Sequence, residues 1–146
     1  MMKKKVAIII LNFNGFEHTI ECVESVRKIN YPHYGIIICD NNSDDDSLKR
    51  IINFYKLIEI GSDSLEYRIL KSINNKSEIT ENANRQYITP HVKNIFYSRE
   101  EGKNSSENIV LIAISRNLGF GGGNNIGIMY GLEKNFNYIL LLNNDT

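Results

Sequence analysis

Apolar residues fall along this chain in two patterns, unbroken runs and spaced stripes. Val6-Ala7-Ile8-Ile9-Ile10-Leu11, Ile36-Ile37-Ile38-Cys39 and Ile109-Val110-Leu111-Ile112-Ala113-Ile114 are unbroken, which predicts strands covered on both faces, as in a parallel sheet. Tyr138 to Leu142 reads as a fourth buried strand. Between these runs, Ile20, Val23, Val26 and Ile29 recur at near-helical spacing, as do Leu48, Ile51, Ile52 and Tyr55, and then Ile126, Met129, Tyr130 and Leu132. Each set supplies one apolar helix face. Asn14 followed by Glu17 predicts a capping-box-like start for the first helix, and Tyr31-Pro32 its end. Asp44 and Asp46 are expected to cap the second helix, with their charge at the positive end of its dipole. From 61 to 108 the pattern weakens. Leu65, Tyr67 and Ile69 alternate like a half-buried strand, whereas 72–86 is polar and Asn-rich, so a hairpin or a mobile insertion is expected. The order β-α-β-α-insertion-β-α-β predicts an α/β fold, a mainly parallel open sheet with right-handed crossovers and helices on both faces.

Composition narrows the classes. A chain of 146 residues suits one domain and buries about two-thirds of its unfolded surface. Lys+Arg and Asp+Glu both total 17, so no basic excess points to nucleic acid. Cys22 and Cys39 are too few for a disulfide framework, and with three histidines they lack zinc-finger spacing. Val6 to Leu11 is far shorter than a membrane span and lacks a signal-peptide cleavage site. A native cytosolic N-terminus is therefore expected. The other end, Leu140-Leu141-Leu142-Asn143-Asn144-Asp145-Thr146, has a strand running into a polar turn, where compact domains seldom finish. That predicts a fragment with an exposed apolar surface and self-association through it.

In an open parallel sheet, ligands bind beyond the carboxyl ends of the strands. Four polar clusters fall there: Asn12-Phe13-Asn14, Asp40-Asn41-Asn42, Arg116-Asn117 with the following glycines, and Asn143-Asn144-Asp145. Phe13 is suited to pack on a base, and Asp40 to accept a hydrogen bond from a pyrimidine imide or a ribose hydroxyl. Gly121 to Gly123, with a helix start behind them, suit close approach to phosphate. Asp145 suits Mg²⁺ or Mn²⁺, hard cations held by one or two carboxylates plus phosphates. Singly, each has a plainer reading: Phe13 as core, Asp40 and Asp145 as turn formers, the glycines as a tight connection, Arg116 as a surface cation. Together they describe a nucleotide-diphosphate site.

These segments resemble the N-terminal, donor-binding part of a family 2 glycosyltransferase of the GT-A fold. The resemblance rests on Val6 through Asn14, on Cys39-Asp40-Asn41-Asn42-Ser43-Asp44-Asp45, on Asn117 through Gly127, and on Leu142-Asn143-Asn144-Asp145-Thr146 at the family's Asp-x-Asp position. It implies a nucleoside-diphosphate sugar donor, its base held by residues near Leu11 and Phe13 together with Asp40. Asn42, Asn117, Gly121, Asn125 and Asn143 complete the donor site. Asp145 is the implied ligand of the cation. Asn143 replaces the first acid of the motif, in an Asn-x-Asp-Thr version similar to rhamnosyltransferase-like members. The implied activity is sugar transfer to a glycan or lipid-linked acceptor hydroxyl, in cell-surface polysaccharide or glycan synthesis. The catalytic base and the acceptor part are expected after Thr146, with the 61–108 stretch an atypical insertion. The full-length protein is expected in the cytoplasm, peripheral at the membrane face.

Two rivals stay open. Gly121, Gly123 and Gly127 follow a strand, and Asp145 lies about 20 residues on, the layout of a dinucleotide-binding oxidoreductase. The other rival is a non-catalytic nucleotide-sugar-binding module.

Overall fold

The computed structural model describes residues 3–80, 91–98 and 108–145. In chain order these form β1 (Val6–Asn12), α1 (Phe16–Val26), β2 (Tyr34–Asp40), α2 (Ser47–Tyr55), β3 (Ile58–Glu59), α3 (Leu65–Thr80), β4 (Val92–Tyr97), β5 (Ile109–Ile114), α4 (Gly119–Glu133) and β6 (Tyr138–Leu142). One sheet runs β3-β4-β5-β2-β1-β6. β5, β2, β1 and β6 are mutually parallel, and β4 joins β5 and β3 antiparallel. The mainly parallel α/β sheet with helices on both faces is thus the observed fold. No helix among the described residues is long and apolar enough to cross a membrane.

The unbroken runs follow from burial on both faces. Ile8, Ile10, Ile36, Ile38 and Leu111 pack with Cys22, Val23 and Val26 of α1 and Ile51 of α2. The alternate residues Ala7, Ile9, Ile37, Cys39 and Ile112 pack with Ile69 and Ile73 of α3 and with Ile126 and Tyr130 of α4. Burying each such isoleucine contributes roughly 1.5–3 kcal/mol.

Helix α4 lies close to β1 through a glycine stripe. A Cβ on Gly123 would meet Leu11 Cδ1 at 2.5 Å, one on Gly127 would meet Ile9 Cγ2 at 2.7 Å and Cys39 Sγ at 2.9 Å, and one on Gly131 would meet Ala7 Cβ at 3.4 Å. Residues four apart on the helix therefore track residues two apart on the strand.

Several local expectations are corrected. Leu65, Tyr67 and Ile69 lie on helix α3, not on a strand. The helical pair Ile69 and Ile73 is buried while Leu65 is exposed, and the Ser64 hydroxyl accepts the Tyr67 amide at the helix start (3.1 Å). β4 fills part of the expected insertion, and the remainder, 81–90 and 99–107, lies outside the described residues. Helix α1 ends at Val26, before Ile29 and Tyr31-Pro32. Asn14 does not cap it. With φ 53°, Asn14 turns its side-chain oxygen to the amides of Asp44 (2.8 Å) and Asp45 (3.2 Å). Asp44 does not cap α2. Asp46 stands at its N-cap position but makes no side-chain capping bond, and it is the Asp45 carboxylate that accepts the Ser47 amide at 2.9 Å. β6 is not buried: it is the open edge, with Tyr138 57 % and Leu140 47 % exposed.

Candidate functional site

Because β5, β2, β1 and β6 are parallel, all four of their carboxyl ends open on one edge of the sheet. The four polar clusters meet there in two layers.

The lower layer is buried. Asn12, Asp40 and Asn41 end β1 and β2 with relative exposures of 0 %, 1 % and 2 %. Asp40 Oδ1 accepts from Asn12 Nδ2 (2.8 Å) and Ser43 Oγ (2.6 Å), and Oδ2 accepts the Ser43 amide (3.2 Å). A buried carboxylate needs such donors, since desolvation alone would make it costly. Asp40, expected at the base, is enclosed in this layer, and its carboxylate shapes the Asp40–Ser43 turn. Asn41 organises the neighbouring turn in the same way. Its Nδ2 donates to Asn117 Oδ1 (3.1 Å) and to the Gly119 carbonyl (3.0 Å), while its Oδ1 accepts the Leu118 amide (3.0 Å). That pins the turn after β5 onto β2.

The upper layer is open to a ligand. Phe13 is 41 % exposed, and Asn42, Asn117, Gly121, Asn125, Asn143 and Asp145 are exposed. Asn42 holds φ 59°, a left-handed conformation that asparagine tolerates better than most residues. Leu11 is half-buried against Gly123. Arg116 is half-buried too, with Nη2 3.0 Å from His91 Nε2. Burial pushes the His91 pKa down, which favours the neutral ring beside a guanidinium.

The glycines are not a loop. Gly119 to Gly123 are the first turns of α4. Gly119 needs its positive φ of 76°, Gly123 and Gly127 allow close helix packing, and Gly121 has open space where a Cβ would stand. The start of α4 still lies at the carboxyl edge, where its first amides favour an anion.

Two polar residues absent from the expected site hold it together. Ser43 bridges by donating to Asp40 and accepting the Asn14 amide (3.0 Å). Thr19, fully buried on α1, donates to Asn12 Oδ1 (2.6 Å) and accepts from Asn144 Nδ2 (3.2 Å). The signal for Thr19 lay in its position, a lone hydroxyl on the apolar face shared by Cys22, Val23 and Val26.

Among the described residues no cluster of three or more His, Cys, Asp or Glu is placed to hold a metal ion. Asp145 offers one exposed carboxylate. That donor set fits a hard divalent cation whose other ligands are phosphates and waters. A cavity of about 400 Å³ opens at the opposite end of the sheet, by Lys5, Tyr34, Glu66, Tyr97, Tyr130 and Lys134. It includes none of the expected site residues.

The dinucleotide layout does not survive the strand order. Its acidic residue belongs on the strand beside the glycine turn, yet β2 and β1 separate β5 from β6, about 14 Å at three strand spacings.

The description "Glycosyl transferase family 2" belongs to the family whose sequence profile matches residues 7–88. That span contains β1 from Ala7 onward, α1, β2, α2, β3 and α3 with the turns after β1 and β2. The turns after β5 and β6 lie outside it and are bonded to it through Asn41 and Thr19. No curated protein and no solved structure matches. Since the matched span exceeds half of the sequence and carries the two turns at the centre of the carboxyl edge, the chain belongs to glycosyl transferase family 2.

Proposed function

We propose that the carboxyl edge binds a nucleoside-diphosphate sugar together with Mg²⁺ or Mn²⁺, for transfer of the sugar to a hydroxyl of a glycan or lipid-linked acceptor in cell-surface glycan synthesis. The observation that carries this reading is the two-layer edge: a buried Asn12-Asp40-Asn41 layer that fixes four turns, and above it an exposed set of one aromatic, several amides and one carboxylate. Phe13 stacks on the base. Asn42 and Leu11 flank it. Asn117, Gly121 and Asn125, in the turn after β5 and on the first turns of α4, contact the nucleoside end of the donor, which leaves the diphosphate directed across β1 toward β6 and Asp145. Asn143 donates an amide hydrogen bond to ribose or phosphate, and Asp145 is the cation's protein ligand. When bound, the cation offsets charge on the departing diphosphate. The finer assignment to a rhamnosyltransferase-like member rests on Asn143, Asp145 and Thr146 alone.

Isothermal titration of UDP, dTDP and NADH, each with and without Mn²⁺, tests the reading. Binding of a nucleoside diphosphate that strengthens with Mn²⁺, and loses that gain in Asp145→Ala, supports it. Metal-independent binding of NADH in preference to both nucleotides would overturn it.

A further inference from the structure

A directed chain of hydrogen bonds crosses the floor of the edge. Asn144 Nδ2 donates to Thr19 Oγ1 (3.2 Å), Thr19 Oγ1 donates to Asn12 Oδ1 (2.6 Å), and Asn12 Nδ2 donates to Asp40 Oδ1 (2.8 Å). Every donor points the same way, from the β6 turn toward the Asp40 carboxylate. Hydrogen bonds in such a series polarise one another in a low-dielectric interior, and Asn12, Thr19 and Asp40 are all buried. The chain joins residues 125 apart in sequence at its Asn144–Thr19 step. Next to it, Cys22 Sγ donates to the Asn143 carbonyl (3.7 Å), a second tie from α1 to the same turn. Gly15 leaves room for the arrangement, since a Cβ there would stand 3.2 Å from Asn144 Nδ2.

We infer that Thr19 is a positioning residue that couples the two halves of the edge, so that a cation at Asp145 and a nucleoside diphosphate on the β1 and β2 turns strengthen each other's binding. This rests on the donor reading above. Thr19 touches neither ligand. It sets the β6 turn, and with it the Asp145 carboxylate, against the turn that Asp40 shapes. Rotating its hydroxyl to any other partner leaves either Asn12 Oδ1 or Asn144 Nδ2 without its bond, so the two turns hold one mutual arrangement.

Thr19→Val keeps the branched shape and removes the hydroxyl; Thr19→Ser keeps the hydroxyl. In calorimetric titrations of the full chain, the mutual enhancement between Mn²⁺ and dTDP or UDP, on the order of tenfold for a coupled pair, is expected to fall severalfold in Thr19→Val, to what direct cation–phosphate contact supplies, and to fall by more than the affinity for either ligand alone. Thr19→Ser restores it. A hydroxyl that merely stabilised the fold would lower the thermal midpoint of Thr19→Val and leave the enhancement unchanged. A Thr19→Val chain that retains the full enhancement overturns the inference and leaves the donor reading standing. The relay is also read without ligand. In ¹⁵N spectra, Asp40→Asn is expected to shift the Asn144 carboxamide resonances, and adding Thr19→Val to abolish that response. Unmoved Asn144 resonances overturn the coupling whether or not nucleotide binds, whereas absence of nucleotide binding by the parent chain overturns the donor reading alone.

Discussion

The glycine stripe on α4 makes a sharp prediction, because the same substitution at two points of one helix should have opposite signs. At Gly127 a new Cβ would stand 2.7 Å from Ile9 Cγ2 and 2.9 Å from Cys39 Sγ. Both neighbours are fully buried, and Ile9 is branched at the point of contact, so neither can swing aside cheaply. Overpacking of this kind costs about 1–3 kcal/mol, against a helix-propensity gain of about 1 kcal/mol for Gly to Ala. With two contacts under 3.0 Å the upper end of that cost applies, and Gly127→Ala should lose about 1–2 kcal/mol. Gly121 is exposed on the same helix with nothing near its Cβ position. Gly121→Ala should gain about 0.5–1 kcal/mol, through propensity and a less flexible unfolded chain. Urea denaturation followed by circular dichroism reads both as shifts in midpoint at constant slope. Thermal midpoints should differ in the same sense, by about 3 °C per kcal/mol for a chain of this size. Midpoints that move in the same direction would refute the close-packing account of α4.

The open edge β6 carries Tyr138, Leu140 and Leu141 exposed and no charged residue, so sedimentation velocity should show self-association at high concentration that Leu141→Lys suppresses; a strictly monomeric parent chain would contradict this. Burial pushes the Cys39 thiol from its ordinary 9.0 up to about 12. The folded state therefore holds that proton after the unfolded chain has lost it, and the associated stability is complete below pH 9.0 and is lost as pH rises toward 12. Tyr55 and Tyr130, also raised by burial, add to the alkaline loss above their ordinary 10.0. Thermal midpoints measured from pH 8 to pH 10 should fall, less steeply in Cys39→Ala; identical slopes would show that Cys39 titrates alike in both states.

The strands that carry the site were legible because double-faced burial demands unbroken apolar runs, and β1, β2 and β5 have them. Their carboxyl-end polar clusters marked the edge for the same reason: a polar turn follows where burial stops. What stayed hidden depends on contacts between distant segments. Leu65, Tyr67 and Ile69 satisfy a strand alternation as well as the Ile69 and Ile73 helical pair, and only the core under α3 decides between them. The two-residue β3 is too short to leave a pattern. The partner of Asn14 lies 30 residues ahead at Asp44, so its sequence neighbourhood suggested a cap. Nor did the sequence reveal that Asp40 lies under the edge while Asn42 lies on it, since that layering follows from the left-handed turn at Asn42 and the donors gathered around Asp40.

The strand order also acts as a ruler. The exits of β5, β2, β1 and β6 stand in that sequence along the edge, each about 4.8 Å from the next. A molecule that touches both Asn117 and Asp145 must therefore reach across three strand widths, about 14 Å. Neither inorganic diphosphate nor an isolated base spans the backbone distance between those two turns. A ligand that fills the proposed site from Asn117 to Asp145 is therefore an extended one, whatever chemistry its ends carry.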